Sequence, residues 1–282
     1  MAKARMPIGV FTSGGGDLTA AINKVLEVGV NSVQFHAPGP DHRTRARARE
    51  IADLFSEAGI DISLVFCGFA GERYTTIPIV RETVGLVPPA TRVERLQNTK
   101  SIADFASWLD APGIGIHVGF VSEEWDSPDF AAVVEVITEV ADYCGERGLT
   151  MNLETGQETA DTLLHVIEAA NRPNLGVNFD PANMILYGSG EPLEALRKVG
   201  KYVKSCHCKD GKWSSKPGVE WGVEMPLGQG DVNIEKFVGT LNELGYTGPL
   251  TIEREISGER QTADIKAGIN LLRDIKARLG VR

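Results

Sequence analysis

Short runs of apolar and β-branched residues alternate along the whole chain with longer runs of helical periodicity. Pro7 to Phe11, Ser32 to His36 and Ile62 to Phe66 read as the first three strands. Asp17 is placed to cap a helix carrying Ala20, Ile22, Val25 and Leu26, and Thr44 to Ala58 reads as a second helix. A long connection from Gly68 to about Pro89 follows, of a length that usually serves function. Arg92 to Trp108 then predicts helix three, Gly113 to Val118 strand four, and Phe130 to Arg147 a helix stopped by Gly148. Leu149 to Glu154 predicts strand five, Thr159 to Ala170 helix five, Leu175 to Asp180 strand six, and Pro192 to Val199 a short helix. Tyr202 to His207 predicts strand seven, Ile234 to Leu244 helix seven, Pro249 to Glu253 strand eight, and Thr262 to Leu279 the closing helix.

This alternation implies an α/β fold, a parallel sheet with helices outside it. Eight such units suit a closed (β/α)8 TIM barrel, which leaves no sheet edge exposed. An open doubly wound sheet is the rival, but Ser13-Gly-Gly-Gly16 lacks the spacing of a dinucleotide fingerprint. No linker or low-complexity segment interrupts the pattern, so residues 1–282 are expected to form a single domain.

The side-chain row that faces the barrel interior changes this picture. Residues two apart in a strand share a face. Asn152 and Glu154, Asn178 and Asp180, His207 and Lys209, and Thr251 and Glu253 each form such a row at a strand end, with Leu153, Phe179 and Ile252 opposite. Barrel interiors are normally filled by branched apolar side chains, so four polar strand ends in succession need compensation. Singly, each carboxylate also reads as a helix cap or rim charge. Together, Glu154, Asp180, His207 and Glu253 make a ligand set for one divalent metal ion, with Mn²⁺ the first choice and Mg²⁺, Co²⁺ or Zn²⁺ as alternatives. Glu255 shares the face of Glu253 and is its alternate. Cys206-x-Cys208 has no second pair and faces away from His207, so structural cysteines are expected. His36 and His117, on strands two and four, read as either pocket or core residues.

Leu153-Glu-Thr-Gly-Gln-Glu158, Asn178-Phe-Asp-Pro-Ala-Asn183, Cys206-His-Cys-Lys-Asp210, Gly228-Gln-Gly-Asp231 and Gly248-Pro-Leu-Thr-Ile-Glu253 together resemble the xylose isomerase-like barrel superfamily, and more closely its sugar phosphate isomerase/epimerase branch. The resemblance implies that Glu154, Asp180, His207 and Glu253 hold the metal, and that Glu154 and Glu253 are also the acid/base pair. It implies an isomerase or epimerase of a sugar, sugar phosphate or keto-sugar derivative, moving a proton through a metal-stabilised enediolate. Asn183, Lys209, His36 and His117 are the expected substrate-binding residues. Two positions depart from the ketohexose 3-epimerases of that branch. Asn183 stands where they carry a histidine, and Lys209, Lys212 and Trp213 where they place an arginine. Lys209 and Lys212 could bind an anionic group, or Lys209 could pair with Asp210 or another carboxylate. Gly228-x-Gly230 could present amides to an anion, or form a turn with Asp231 capping the next helix. Phe69, Arg73, Tyr74, Trp213 and Trp221 are rim candidates, the tryptophans serving a sugar-stacking lid or a homo-oligomer contact.

Other classes follow from the same residues. A metal-dependent dehydratase of an inosose- or dehydroshikimate-like keto compound needs the same centre plus a leaving group. An abasic-site endonuclease shares the barrel but has many more histidines than the five here. A non-catalytic barrel would lack the metal. The net charge of −9 counts against a grip on nucleic acid and leaves a small-molecule carbohydrate as the expected partner. Four cysteines are too sparse for a disulfide scaffold, the basic start Met1 to Pro7 is not followed by a secretory leader, and no apolar run approaches the roughly 20 residues of a membrane helix. A cytoplasmic protein, away from membranes and with reduced thiols, is expected.

Overall fold

In the computed structural model, which describes residues 6–281, the chain is a closed barrel of eight parallel strands surrounded by helices. The elements run β1 (Ile8–Ser13), α1 (Leu18–Val28), β2 (Ser32–His36), α2 (Arg45–Glu57), β3 (Asp61–Phe66), α3 (Ile77–Thr83), α4 (Pro89–Trp108), β4 (Gly113–Ile116) and α5 (Pro128–Gly145). They continue with β5 (Thr150–Glu154), α6 (Ala160–Ala170), β6 (Leu175–Phe179), α7 (Pro181–Tyr187), α8 (Pro192–Val199) and β7 (Val203–Cys208). The last are β8 (Asp210–Lys212), β9 (Val223–Met225), α9 (Ile234–Glu243), β10 (Leu250–Ile252) and α10 (Glu259–Arg278). Around the barrel the order is β1, β10, β7, β6, β5, β4, β3, β2, closed by Ile8 opposite Leu250.

Local chemistry explains the helix starts. The Asp17 carboxylate accepts from the Thr19 and Ala20 amides, and Gly29 ends α1 in the left-handed region. The buried stripe of α1 is Leu18, Ile22, Val25 and Val28, while Leu26, expected on that stripe, is 49% exposed. Thr44, Ser127 and Thr159 cap α2, α5 and α6 in the same way.

Three connections hold more structure than their sequence predicts. The stretch after β3 is not an unpaired loop: it contains α3, capped by Thr76 and anchored by Glu72, whose carboxylate accepts from the Phe69 and Gly85 amides. Gly85 has φ of +74°, and a Cβ there would lie 2.0 Å from the Val118 carbonyl oxygen, so only glycine fits. Strand six ends at Phe179, and Asp180 becomes the cap of α7, with Pro181 at its first position. After β7 the chain folds back as the antiparallel pair β8–β9. The basic N-terminal segment, residues 1–5, lies outside the described residues. No helix among the described residues is long and apolar enough to cross a membrane.

Candidate metal centre

Strand parity sets the site. Leu153, Phe179, Cys206, Cys208 and Ile252 are buried away from the barrel axis, and all four cysteines are free. On the inner face, Glu154 ends β5 and His207 lies in β7, while Asp180 and Glu253 each follow a strand by one residue. One ligand atom from each of these four residues lies within 4.8 Å of the other three.

His207 is the centre of the cluster. Its Nδ1 is 2.9 Å from Glu154 Oε1, 3.4 Å from Glu253 Oε2 and 3.5 Å from Asp180 Oδ2. Its Nε2 is 2.8 Å from Gln34 Oε1, and the Gln34 amide nitrogen donates to Asn178 Oδ1 at 3.0 Å. That second bond fixes which way the Gln34 amide points, so Nε2 carries the hydrogen and Nδ1 is turned to the carboxylates. Gln34 was not singled out from the sequence, although it shares a strand face with His36.

Three further side chains tie the carboxylates. Lys209, 1% exposed, donates to Glu253 at 3.1 Å, Glu255 at 2.6 Å and Asn183 Oδ1 at 3.1 Å, and lies 3.9 Å from Asp180. Asn183 donates to Glu154 Oε1 at 3.2 Å. His117, which lies one residue beyond β4 and not on it, places Nε2 3.2 Å from Glu154 Oε2. Gln157 donates to His117 Nδ1 at 3.3 Å and to the Tyr187 hydroxyl at 3.1 Å.

The electrostatics follow from this geometry. Burial pushes Glu154 up, and the pull of His117 and His207 does not restore it. Burial also acts on Asp180 and Glu253, but Lys209 and His207 outweigh it and both are lowered. His207 and Lys209 lose to burial and regain more from the carboxylates around them, so both are raised. Four carboxyl groups, those of Glu154, Asp180, Glu253 and Glu255, face one ammonium, on Lys209, and two imidazoles, on His207 and His117. Asp180 Oδ2 is buried with no hydrogen-bond partner among the described residues. A divalent cation at Nδ1 would relieve the carboxylate repulsion and give that oxygen a partner, so the donor set fits a metal.

Above the cluster is a cavity of about 240 Å³ walled by Tyr74, His117, Asn183, Tyr187, Trp221 and Glu255. Tyr74 and Trp221 thus reach the pocket. Phe69 instead lies under the Arg95 guanidinium and Trp213 packs on the core. His36 makes no hydrogen bond or ion pair with the cluster among the described residues; its Nδ1 faces the Ala37 carbonyl at 3.0 Å, and burial lowers its pKa.

In two places where anion binding and a structural role were both open, the structure shows the structural role. Lys209 pairs with Glu253 and Glu255 and not with Asp210, while Lys212 is exposed on β8. The amides of Gly228 and Gly230 are already occupied, since both donate to Asp210 Oδ2. Asp231 accepts from the Trp213 amide, and Asn233 caps α9 in its place.

Sequence reasoning also passed over Glu158 as a site residue. It is 5% exposed, neither carboxyl oxygen has a hydrogen-bond partner among the described residues, and burial pushes its pKa up to about 8. A carboxyl raised from 4.5 to about 8 contributes stability that is full below about pH 4.5 and is lost as pH rises toward 8. Metal-free Glu158→Gln is therefore expected to gain on wild type between pH 5 and 9, by up to ~5 kcal/mol. Thermal melts across that range check this; a constant difference between the two proteins rules it out.

The profile of the xylose isomerase-like TIM barrel family matches residues 22–275. The crystal structure of a xylose isomerase domain protein from Planctomyces limnophilus is 48% identical, with TM-score 0.94, over 98% of this chain and 99% of that one. A D-tagatose 3-epimerase-like protein shares the fold at 17% identity and TM-score 0.75, covering 98% of both chains. A xylose isomerase-like TIM barrel protein from Mycobacterium smegmatis, in complex with magnesium, does so at 17% identity and TM-score 0.74, covering 97% of both. An uncharacterized protein of Methanocaldococcus jannaschii is 22% identical over 204 residues, 65% of this chain and 66% of that one, just under two thirds of its length. A family profile covering most of the barrel, and a near-full-length relative at 48% identity, place the chain in the xylose isomerase-like TIM barrel family.

Proposed function

We propose that the protein is a divalent-metal-dependent isomerase or epimerase of a keto sugar, working as a single domain, with Glu154, Asp180, His207 Nδ1 and Glu253 as metal ligands. One observation carries this reading: four donor atoms from four strand ends lie within 4.8 Å of one another beneath a polar cavity. The fold relatives, among them an epimerase-like protein and a magnesium complex, support it. When bound, the metal supplies Lewis-acid polarisation of a carbonyl and its neighbouring hydroxyl.

The chain's own residues divide the proton work. Lys209 holds Glu253 ionised, which suits it to accept the proton from the carbon beside the carbonyl. Glu154 is raised by burial and meets His117 at 3.2 Å, which suits it to deliver a proton. Asn183 spans Glu154 and Lys209 and so fixes the spacing of the two carboxylates. Tyr74 and Trp221 line the cavity and are placed to pack against a bound ring.

Metal analysis after mild purification, followed by Mn²⁺ titration of chelator-treated protein, tests the site. Uptake of about one ion per chain and a melting temperature that rises with Mn²⁺ are expected. The reaction is tested by incubating keto sugars in D₂O. Exchange of one carbon-bound hydrogen, with mass otherwise conserved, is the expected result. Loss of water with a new enone absorbance would assign a dehydratase, and protein indifferent to metal would remove the reading altogether.

A further inference from the structure

A second cavity, of about 470 Å³, adjoins the one over the metal cluster, with Tyr187 in the wall of both. Its lining contains an unusual set of unsatisfied groups. Both carboxyl oxygens of Glu158, Gln157 Oε1 and Ser189 Oγ are buried without a hydrogen-bond partner among the described residues. Leaving such atoms unpaired is unfavourable, and several around one cavity match an occupant rich in both donors and acceptors. Glu158, held protonated by burial, can donate as well as accept at neutral pH, as a sugar hydroxyl can.

The charges exclude a phosphate as that occupant. Glu123 and Glu124 line the cavity beside the neutral Glu158, against one cation, Arg81, whose guanidinium lies 4.1 Å over the Phe120 ring. In the inner cavity, Lys209 is matched by Glu253 and Glu255, and the nearby Arg254 by Glu224 and Asp264. The size of the outer cavity falls within the range of small-molecule sites, roughly 300–1,000 Å³.

We infer that the outer cavity is a second sugar subsite and that the substrate is a neutral glycoside, with its keto-sugar ring at the metal cluster and a glycosyl unit hydrogen-bonded by Gln157, Glu158 and Ser189. The inference rests on the keto-sugar reading above and narrows it, since it sets aside sugar phosphates.

Calorimetric titration of the Mn²⁺-loaded protein with maltulose, fructose and fructose 6-phosphate tests it. Maltulose carries a glucosyl unit on a fructose ring, so it is expected to bind at least about tenfold tighter than fructose, with fructose 6-phosphate the weakest. Glu158→Leu, which removes the hydrogen bonds, and Ser189→Trp, which fills the cavity, are each expected to abolish the maltulose advantage. Either variant suffices should the other fail to fold. Equal binding of maltulose and fructose, tighter binding of fructose 6-phosphate, or no binding of any of the three to Mn²⁺-loaded protein overturns the subsite. Protein that takes up no Mn²⁺ overturns the metal-centre reading instead.

Discussion

Asp180→Asn is expected to lower metal affinity by about 10³-fold and to remove keto-sugar turnover with it. The substitution separates two jobs of one side chain. Asp180 Oδ1 accepts from the Asn183 amide as the cap of α7, and asparagine caps as well as aspartate. Oδ2, the oxygen without a partner, is the one turned to His207 Nδ1, and there an amide replaces a charged donor. Without metal the cap is kept and only the pairing with His207 and Lys209 is lost, so melting should fall modestly, while the stabilisation by added Mn²⁺ should nearly vanish. Asp180→Ala loses the cap too, at a further cost of ~1 kcal/mol. Gln34→Leu should weaken metal binding by a smaller factor, about 10–100-fold, because it only frees the His207 ring to turn. Titration of chelator-treated protein ranks the three, and equal affinity of Asp180→Asn and wild type would sink the ligand assignment.

The largest loss of stability is expected at Asp210, which binds no part of the proposed substrate. Its carboxylate accepts from four backbone amides, those of Gly211 at 2.9 Å, Gly228 at 2.9 Å, Gly230 at 3.0 Å and Val232 at 3.2 Å. The ends of the β8–β9 excursion are thereby knotted to one side chain. Asp210→Ala leaves four donors to find new partners in a space that a methyl group cannot fill, and should destabilise by ~3–5 kcal/mol. A fall of roughly 8–15 °C in the melting temperature of metal-free protein would register it. Since no proposed ligand is touched, the surviving folded fraction should still take up Mn²⁺. An unchanged melting temperature would show that solvent replaces the carboxylate.

The barrel was legible in the sequence because each strand is a short apolar run with its own capped helix after it, as with Asp17 before α1 and Thr159 before α6. The inward row was legible for the same reason, since alternation along β5 and β7 leaves no choice of face for Glu154 and His207. What escaped were features set by distant partners. The helices α3 and α7 are seven residues each, too short for a periodic pattern to stand out. The Asp180-Pro181 pair was the available signal for α7, but it was read as the end of a strand. Gln34 has no charge to draw notice, and its role depends on Asn178, 144 positions away. The glycines at 228 and 230 look free to bind an anion until Asp210 is seen to occupy their amides. Glu158 looks like part of a motif, and only the packing around it shows a buried carboxyl in the wall of a cavity.

The register of β10 has a consequence for biosynthesis. Of the eight barrel strands it is the last in chain order, and it bridges β7 and β1, pairing Leu250 with both Cys206 and Ile8. Until the ribosome has released it, the sheet stays open along one seam and Glu253 has no fixed place beside His207. Under the proposed ligand assignment, a nascent chain holds three of the four donors early and gains the fourth only when the seam shuts. Loading with cation is then tied to closure of the barrel, and products truncated before β10 would bind the ion less tightly for want of Glu253.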